Sequence, residues 1–302
     1  MMWTEASPER MDGLNHRLAA IVGWLRQLAH LLGRAPRVLD YGSGTGMLLT
    51  LPLARQCPEF AVVAFDVSPR NIAVLRQAAS AGSLGNIQAS SDRAEISRHA
   101  PFDAIICADV LEHLPEPEVV LHDMHTLLSP RGCLILSLPN GFGPFEMGTF
   151  IADLLWITGL LPAARKLLRR PVQPGLPGDR RGVTAVTDTL EVDPHLQFYS
   201  RASLNRLLSR TGYAVRAHKN RMFLSGFPFY YLERWPQVAE WNVRVAEKLP
   251  PGWCSAWLFM CAKSSAGAPL PAREHSRTRR AWTAVRRWSN QKRWPLAVQR
   301  LP

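Results

Sequence analysis

One stretch of nine residues, Val38-Leu39-Asp40-Tyr41-Gly42-Ser43-Gly44-Thr45-Gly46, limits the fold more than any other. A short apolar run leads into three alternating glycines and then into a helical pattern. Glycines in such a turn take backbone conformations closed to other residues and let a ligand approach the main chain. Arg37–Asp40 has the length of a buried strand, so the stretch reads as strand, turn, helix. The alternation continues downstream. Ala61–Asp66, Phe102–Ala108 and Cys133–Leu138 read as strands. Between them lie a helix from the glycine turn to about Gln56, a second capped by Ser68 with Pro69 at its first position, and a third over 116–128 before the turn Ser129-Pro130-Arg131-Gly132. Strands alternating with helices imply a parallel sheet covered on both faces. Later, Ser200 caps a helix carrying Leu204, Leu207 and Leu208 that Gly212 stops, and Tyr213–Ala217 with its continuation and Ala256–Cys261 read as strands.

Three segments flank or interrupt this core. Leu14, Leu18, Ile21, Val22, Leu25, Leu28 and Leu32 recur at helical spacing, so residues 1–34 are expected to hold an amphipathic helix over about 12–33, ended by Gly33. Residues 35–263 form the main domain. Within it, 141–194 read as an insert or lid, with an apolar run from Met147 that ends in Arg165, Lys166, Arg169 and Arg170 and is broken by a Pro- and Gly-rich loop. Residues 264–302 hold nine of the 36 Lys and Arg residues and one acid, Glu274, so most of the net charge of +12 lies in this tail. Trp282, Trp288 and Trp294 are spaced among those charges. A basic, aromatic tail suits an anionic membrane surface or RNA, and reads equally as a solvated, partly disordered extension.

With 47% hydrophobic and 20% charged residues, the chain is neither a disordered polymer nor a coiled-coil rod. No apolar run is long enough to span a membrane, and the first residues lack a signal-peptide pattern. Five cysteines without a CxxC pair read as reduced and buried, which points to the cytosol.

The glycine turn carries the chemistry. Asp40 stands two positions before Gly42, where a carboxylate disfavours a phosphate and suits an ammonium group. Asp66 ends the next strand and is placed to accept hydrogen bonds from both hydroxyls of a ribose. Two such acids bracket an adenosine joined to an amino acid, which describes S-adenosylmethionine. The spacing G-x-G-x-G differs from the G-x-G-x-x-G of dinucleotide folds and argues against a nicotinamide-dependent oxidoreductase.

On these residues the chain resembles the class I S-adenosylmethionine-dependent methyltransferases, in the broad group related to ubiquinone-biosynthesis O-methyltransferases. Val38–Gly46 looks like the cofactor loop and Phe65-Asp66-Val67-Ser68 like the ribose-binding strand end. Ser91-Asp92-Arg93-Ala94 resembles the acidic turn beside the adenine. Phe102-Asp103 through Asp109-Val110-Leu111-Glu112-His113-Leu114 resembles the fourth strand and its tail. Leu128–Gly132 and His195–Ser200 match later segments. The likeness covers about residues 35–263, is weak over 141–194 and is absent over 264–302. Pro52, inside the helix after the loop, and Ser91, where glycine is common, depart from the pattern; Pro52 is expected to kink or shorten its helix.

The resemblance implies a Rossmann-like, doubly wound α/β fold with a mostly parallel seven-stranded sheet. It implies cofactor contacts from Asp40, Tyr41, Gly42, Ser43, Gly44, Gly46, Asp66, Val67, Asp92, Arg93, Ala108 and Asp109. A hydroxyl acceptor must lose a proton, and histidine is the side chain whose pKa suits that task; position makes His113, then His195, the candidate bases. Asp109-x-x-Glu112-His113 resembles a set that some relatives use for a divalent ion, but only two carboxylates converge and magnesium wants six oxygens, so no metal is expected. The Asn-Pro-Pro-Tyr type motif of amide and exocyclic-amine methyltransferases is absent. An oxygen acceptor on a small molecule, a lipid-linked molecule or a glycan is therefore favoured, with the insert and tail meeting an anionic membrane. The competing readings are an RNA-directed methyltransferase anchored by the tail and a non-catalytic scaffold that binds the cofactor.

Overall fold

The computed structural model describes residues 8–160, 195–225, 229, 235–264 and 277–293. Its centre is a seven-stranded sheet of β1 (Arg37–Tyr41), β2 (Ala61–Phe65), β3 (Ile87–Ser90), β4 (Phe102–Ala108), β5 (Leu128–Pro139), β6 (Tyr213–Met222) and β7 (Ala256–Lys263). The spatial order is β3-β2-β1-β4-β5-β7-β6, and only β7 runs antiparallel to its neighbours. The chain reverses direction of travel between β1 and β4, and the crevice at the carboxyl ends of these strands is where open α/β sheets bind ligands.

Near-continuous apolar strands are buried on both faces because side chains alternate. Val38, Ala104, Ile106 and Ile135 point to one face, where they pack with Ile21 and Leu25 of α1 (Pro8–Leu32) and Leu53 of α2 (Thr50–Gln56). Leu39, Ile105, Cys107 and Leu136 point to the other. There they meet Leu121 and Met124 of α5 (Pro117–Leu127) and Leu204 and Leu208 of α7 (Arg201–Arg210). The N-terminal helix is thus part of a layer over the sheet. The order also includes α3 (Pro69–Ala81), α4 (Arg93–Ser97), α6 (Pro144–Ile157), α8 (Pro236–Lys248) and α9 (Arg277–Arg293).

Several details differ from the sequence reading. β3 is only four residues, Ile-Gln-Ala-Ser, too short and polar to read as a strand. Ser129–Gly132 is a bulge within β5 rather than a turn before it: Leu128 pairs with Phe102 and Cys133 with Ala104. α2 begins only at Thr50, so Pro52 lies in its first turn, where a missing N–H has no helical partner to lose. The helix is short, seven residues. α8 went unread. In the tail, Arg277–Arg293 is a helix packed on α6 and not a solvated extension, because it carries a buried cation that two acids of α6 require. Residues 161–194, with the basic run at Arg165–Arg170 and the Pro- and Gly-rich loop, lie outside the described residues. No described helix is long and apolar enough to cross a membrane.

Candidate active site

The glycine turn leaves the carboxyl end of β1 with φ of +81°, +54° and +73° at Gly42, Gly44 and Gly46. A Cβ on Gly42 would lie 2.5 Å from Val110 Cγ2, and one on Gly46 would lie 2.7 Å from Leu75 Cδ1. The turn is therefore closed to side chains on two grounds, dihedral and space. Above Gly44 a Cβ would meet nothing within 4 Å, so the loop has a bare, open side. The Gly42 and Ser43 N–H groups donate to Phe65 O at 2.8 and 2.9 Å, which ties the turn to the end of β2.

Asp40 is buried beneath this turn and accepts from Thr50 Oγ1 at 2.6 Å. Burial pushes its carboxyl from 3.8 to about 6, against the pull of that hydrogen bond and of the Arg17 guanidinium. Asp66 follows β2; its Oδ2 accepts from the Gly44 N–H at 2.8 Å, its Oδ1 from the Ser68 N–H at 2.9 Å and from Asn71 Nδ2 at 3.1 Å. Val67 beside it is 81% exposed, an apolar side chain open at the strand end. Asp92 caps α4 by accepting from the Ala94 N–H at 2.8 Å.

Tyr41, Arg93 and Asp109 also have their side chains engaged within the protein. Tyr41 donates to Asp123 Oδ2 at 3.1 Å and packs edge-on against Phe65. Arg93 holds the same Asp123, its Nε at 2.7 Å from Oδ2, so it braces α4 against α5. Asp109, just after Ala108 at the end of β4, has a φ of +55°. Its carboxylate accepts from Arg17 Nη1 at 2.6 Å, Arg221 Nη1 at 2.9 Å and Ser137 Oγ at 2.8 Å. Burial would raise its pKa, but the two guanidiniums and the hydroxyl hold it well below the usual carboxylate range. Arg17 and Arg221 escaped the sequence reading. Arg17 had a signal: it lies three residues after Leu14 and four before Ile21, a cation on the apolar stripe of a helix.

Beyond the carboxyl end of β4 the chain makes a 3₁₀ turn, Leu111–His113. His113 is buried there, and its ring meets that of His195 edge to face at 4.9 Å. The two candidate bases, 82 residues apart in sequence, are thus brought together. The Glu112 main-chain oxygen accepts from the Leu196 and Gln197 N–H groups at 2.8 and 2.9 Å, which pins the second segment to the first. Burial, then the Asp109 charge, pushes the Glu112 carboxyl up to about 8, and its Oε2 has no hydrogen-bond partner among the described residues. His195 Nδ1 is bonded to Glu146 Oε1. Burial would lower the His195 pKa, but Glu146 outweighs it and the imidazole is raised above its ordinary value. Glu146 goes down against its own burial, held by His195 and Arg286. One potential ligand atom each from Glu112, His113 and His195 lies within 4.8 Å of the others. With His195 Nδ1 committed to Glu146 and Glu112 driven towards its neutral form, the trio as folded is suited to exchanging protons. Glu146 and Arg286 were also missed. Their signal was the pair Glu146 and Asp153, seven residues apart on one face of an otherwise apolar helix, which demands a cation.

Comparison with known proteins shows the family. Residues 14–218 match the family model described as a methyltransferase domain. The ubiquinone biosynthesis O-methyltransferase of Azotobacter vinelandii is 30% identical over 155 residues, 51% of this chain and 64% of that protein. That of Xylella fastidiosa strain 9a5c is 40% identical over 107 residues, 34% of this chain and 42% of that protein. The chain thus spans less than two thirds of the length of these curated relatives. Among solved structures, magnesium protoporphyrin IX methyltransferase from Synechocystis PCC 6803 with bound SAH overlays with a TM-score of 0.48 at 17% identity, covering 87% of this chain and 90% of that one.

Proposed function

Because the chain belongs to the methyltransferase domain family, we propose that it transfers the methyl group of S-adenosylmethionine to an oxygen of a small-molecule, lipid-linked or glycan acceptor. The observation that carries this reading is the bare glycine turn set between two acids at adjoining strand ends, with a histidine pair at the turn that follows β4. The residues fit the cofactor. Asp40 is a buried carboxyl kept from ionising freely, and a cationic ammonium would relieve it. Arg17 supplies a guanidinium beside Asp109, suited to a carboxylate. Asp66 offers its oxygens to ribose hydroxyls, in place of the Gly44 N–H where needed, and Val67 offers an apolar face to a base. Bound S-adenosylmethionine supplies a methyl group already activated by its sulfonium. The protein's task is to align the acceptor oxygen with that methyl and remove the acceptor's proton. His113 takes the proton in this reading, and His195, raised by Glu146, donates a hydrogen bond that steadies the developing negative charge.

A peripheral membrane contact is a second reading, favoured by one observation. α6 is inverted: its two acids face inward, while Met147 and Ile151 are 54% and 49% exposed. α9 adds exposed Trp288, Arg287 and Lys292. Apolar and basic side chains together suit an anionic lipid surface. RNA binding through the tail has less support, since Arg286 points inward and Arg287 donates to Leu196 O.

The test is incubation with S-adenosylmethionine carrying a labelled methyl group and a fractionated lysate. Label in a lipid or small-molecule fraction is the expected result. Label in RNA alone refutes the acceptor class, and binding of S-adenosylmethionine without label in any fraction favours the scaffold. Co-sedimentation with anionic vesicles at low salt tests the membrane contact, which fails if all protein stays in the supernatant.

A further inference from the structure

We propose that Arg286 of the C-terminal helix α9 is a positioning residue that holds Glu146, and through it His195, in the geometry used for methyl transfer. This rests on the reading of His195 as part of the reaction site. Arg286 is 1% exposed. Its Nη2 and Nε donate to Glu146 Oε2 at 2.9 and 3.3 Å, and its Nη1 donates to Asp153 Oδ2 at 2.8 Å and to Ser289 Oγ at 3.1 Å. The guanidinium also lies 5.9 and 5.5 Å from the ring centroids of Phe150 and Phe198.

This is more than helix packing needs. Buried ion pairs stabilise little compared with well-packed apolar side chains of the same size. α9 already has such contacts: the Trp282 ring lies edge-on against Phe150 at 5.3 Å. What the ions add is direction. The two oxygens of Glu146 are divided, Oε1 to His195 and Oε2 to Arg286, so Arg286 sets the plane of the carboxylate and the carboxylate sets the ring. Engaging Nδ1 decides which ring nitrogen of His195, Nε2, faces the remaining chemistry. Two carboxylates against one guanidinium also leave a negative charge that a protonated His195 balances. α9 pins the main chain as well: Asn290 Nδ2 donates to His195 O at 2.8 Å, and Arg287 Nε to Leu196 O at 3.1 Å. A segment that the family likeness does not reach thus completes the acceptor side of the site.

The experiment follows the Nδ1 proton of His195 by NMR in protein labelled with ¹⁵N-histidine, identified by its loss in H195Q. S-adenosylmethionine affinity is measured alongside by calorimetry, as is transfer of tritiated methyl into the fractionated lysate. R286M is expected to lose or shift the resonance, to keep its S-adenosylmethionine affinity within about twofold, and to lose about 10²-fold in transfer, the effect of a small misplacement. R286K, which keeps the charge, should recover the resonance and most of the rate. Should R286M not fold, the double variant R286M/D153N leaves Glu146 and His195 as a balanced pair and is expected to show the same losses. A folded variant lacking Arg286 that retains the wild-type resonance, or the wild-type rate, overturns the proposal. Wild-type protein that labels no fraction overturns instead the functional reading beneath it, and the resonance tells the two failures apart.

Discussion

Replacing Asp40 with Asn should make the protein more stable and less able to bind S-adenosylmethionine. The Asp40 carboxyl is raised from 3.8 to about 6, first by burial. Between those values the native state keeps a proton that the unfolded chain has released, so stability falls as pH rises through this window and is level above it. A shift of that size corresponds to ~3 kcal/mol of cost at neutral pH. Asn removes it and can still accept the Thr50 hydroxyl at its amide oxygen. Its NH₂ group then needs a partner, which returns roughly 1 kcal/mol or more. The net gain is about 1–2 kcal/mol, a rise of roughly 2–6 °C in Tm for a chain of this size. Differential scanning fluorimetry should show the gain near neutral pH and show it lost as pH drops from about 6 to below 3.8, where both states of the wild type come to hold the proton. Calorimetry should show S-adenosylmethionine affinity down about 10- to 150-fold, the worth of a charge-assisted hydrogen bond. A D40N variant that is no more stable than wild type at neutral pH refutes the electrostatic account. One that binds S-adenosylmethionine normally refutes the placement of the ammonium.

Three further outcomes are expected. G42A combines a left-handed φ of +81° with a Cβ at 2.5 Å from Val110, and should cost about 2–3 kcal/mol in denaturant titrations while weakening cofactor binding; wild-type stability would show that the turn can relax. D109N removes the acid between Arg17 and Arg221 and should cost about 2 kcal/mol, discounted because its side chain keeps 36% exposure. Since the Asp109 pKa is lowered on folding, the stability this acid contributes is present at neutral pH and lost as pH falls through the acidic range, so wild type and D109N should converge in acid. Dialysis against a chelator should leave methyl transfer unchanged; loss of activity restored by added zinc would make Glu112, His113 and His195 a metal site instead.

The parallel core was legible because its signals are local. Apolar runs of strand length, the glycines of the turn, Ser68 with Pro69, and Ser200 before its helix each act through their own neighbours, and each stands where it was expected. The places of Asp40 and Asp66 beside the turn were legible for the same reason, since each is set by its distance from the glycines. The bulge at Ser129–Gly132 and the short β3 were not, because both depend on the register of a partner strand.

What the sequence by itself determined is therefore the alternation of strands and helices, the turn, and the residues that frame it: patterns of period and steric permission that need no partner. Tertiary structure alone decided how charges were spent. The sequence sets Asp109 at the end of its strand but says nothing of Arg17 and Arg221, which pair with it from 92 and 112 positions away. Arg286 reads as one of many solvated tail cations until burial against Glu146 and Asp153 gives it two acids to serve. An exposed charge is nearly free to be anywhere, whereas a buried one must have its partner, and only the folded chain says which residues are buried together.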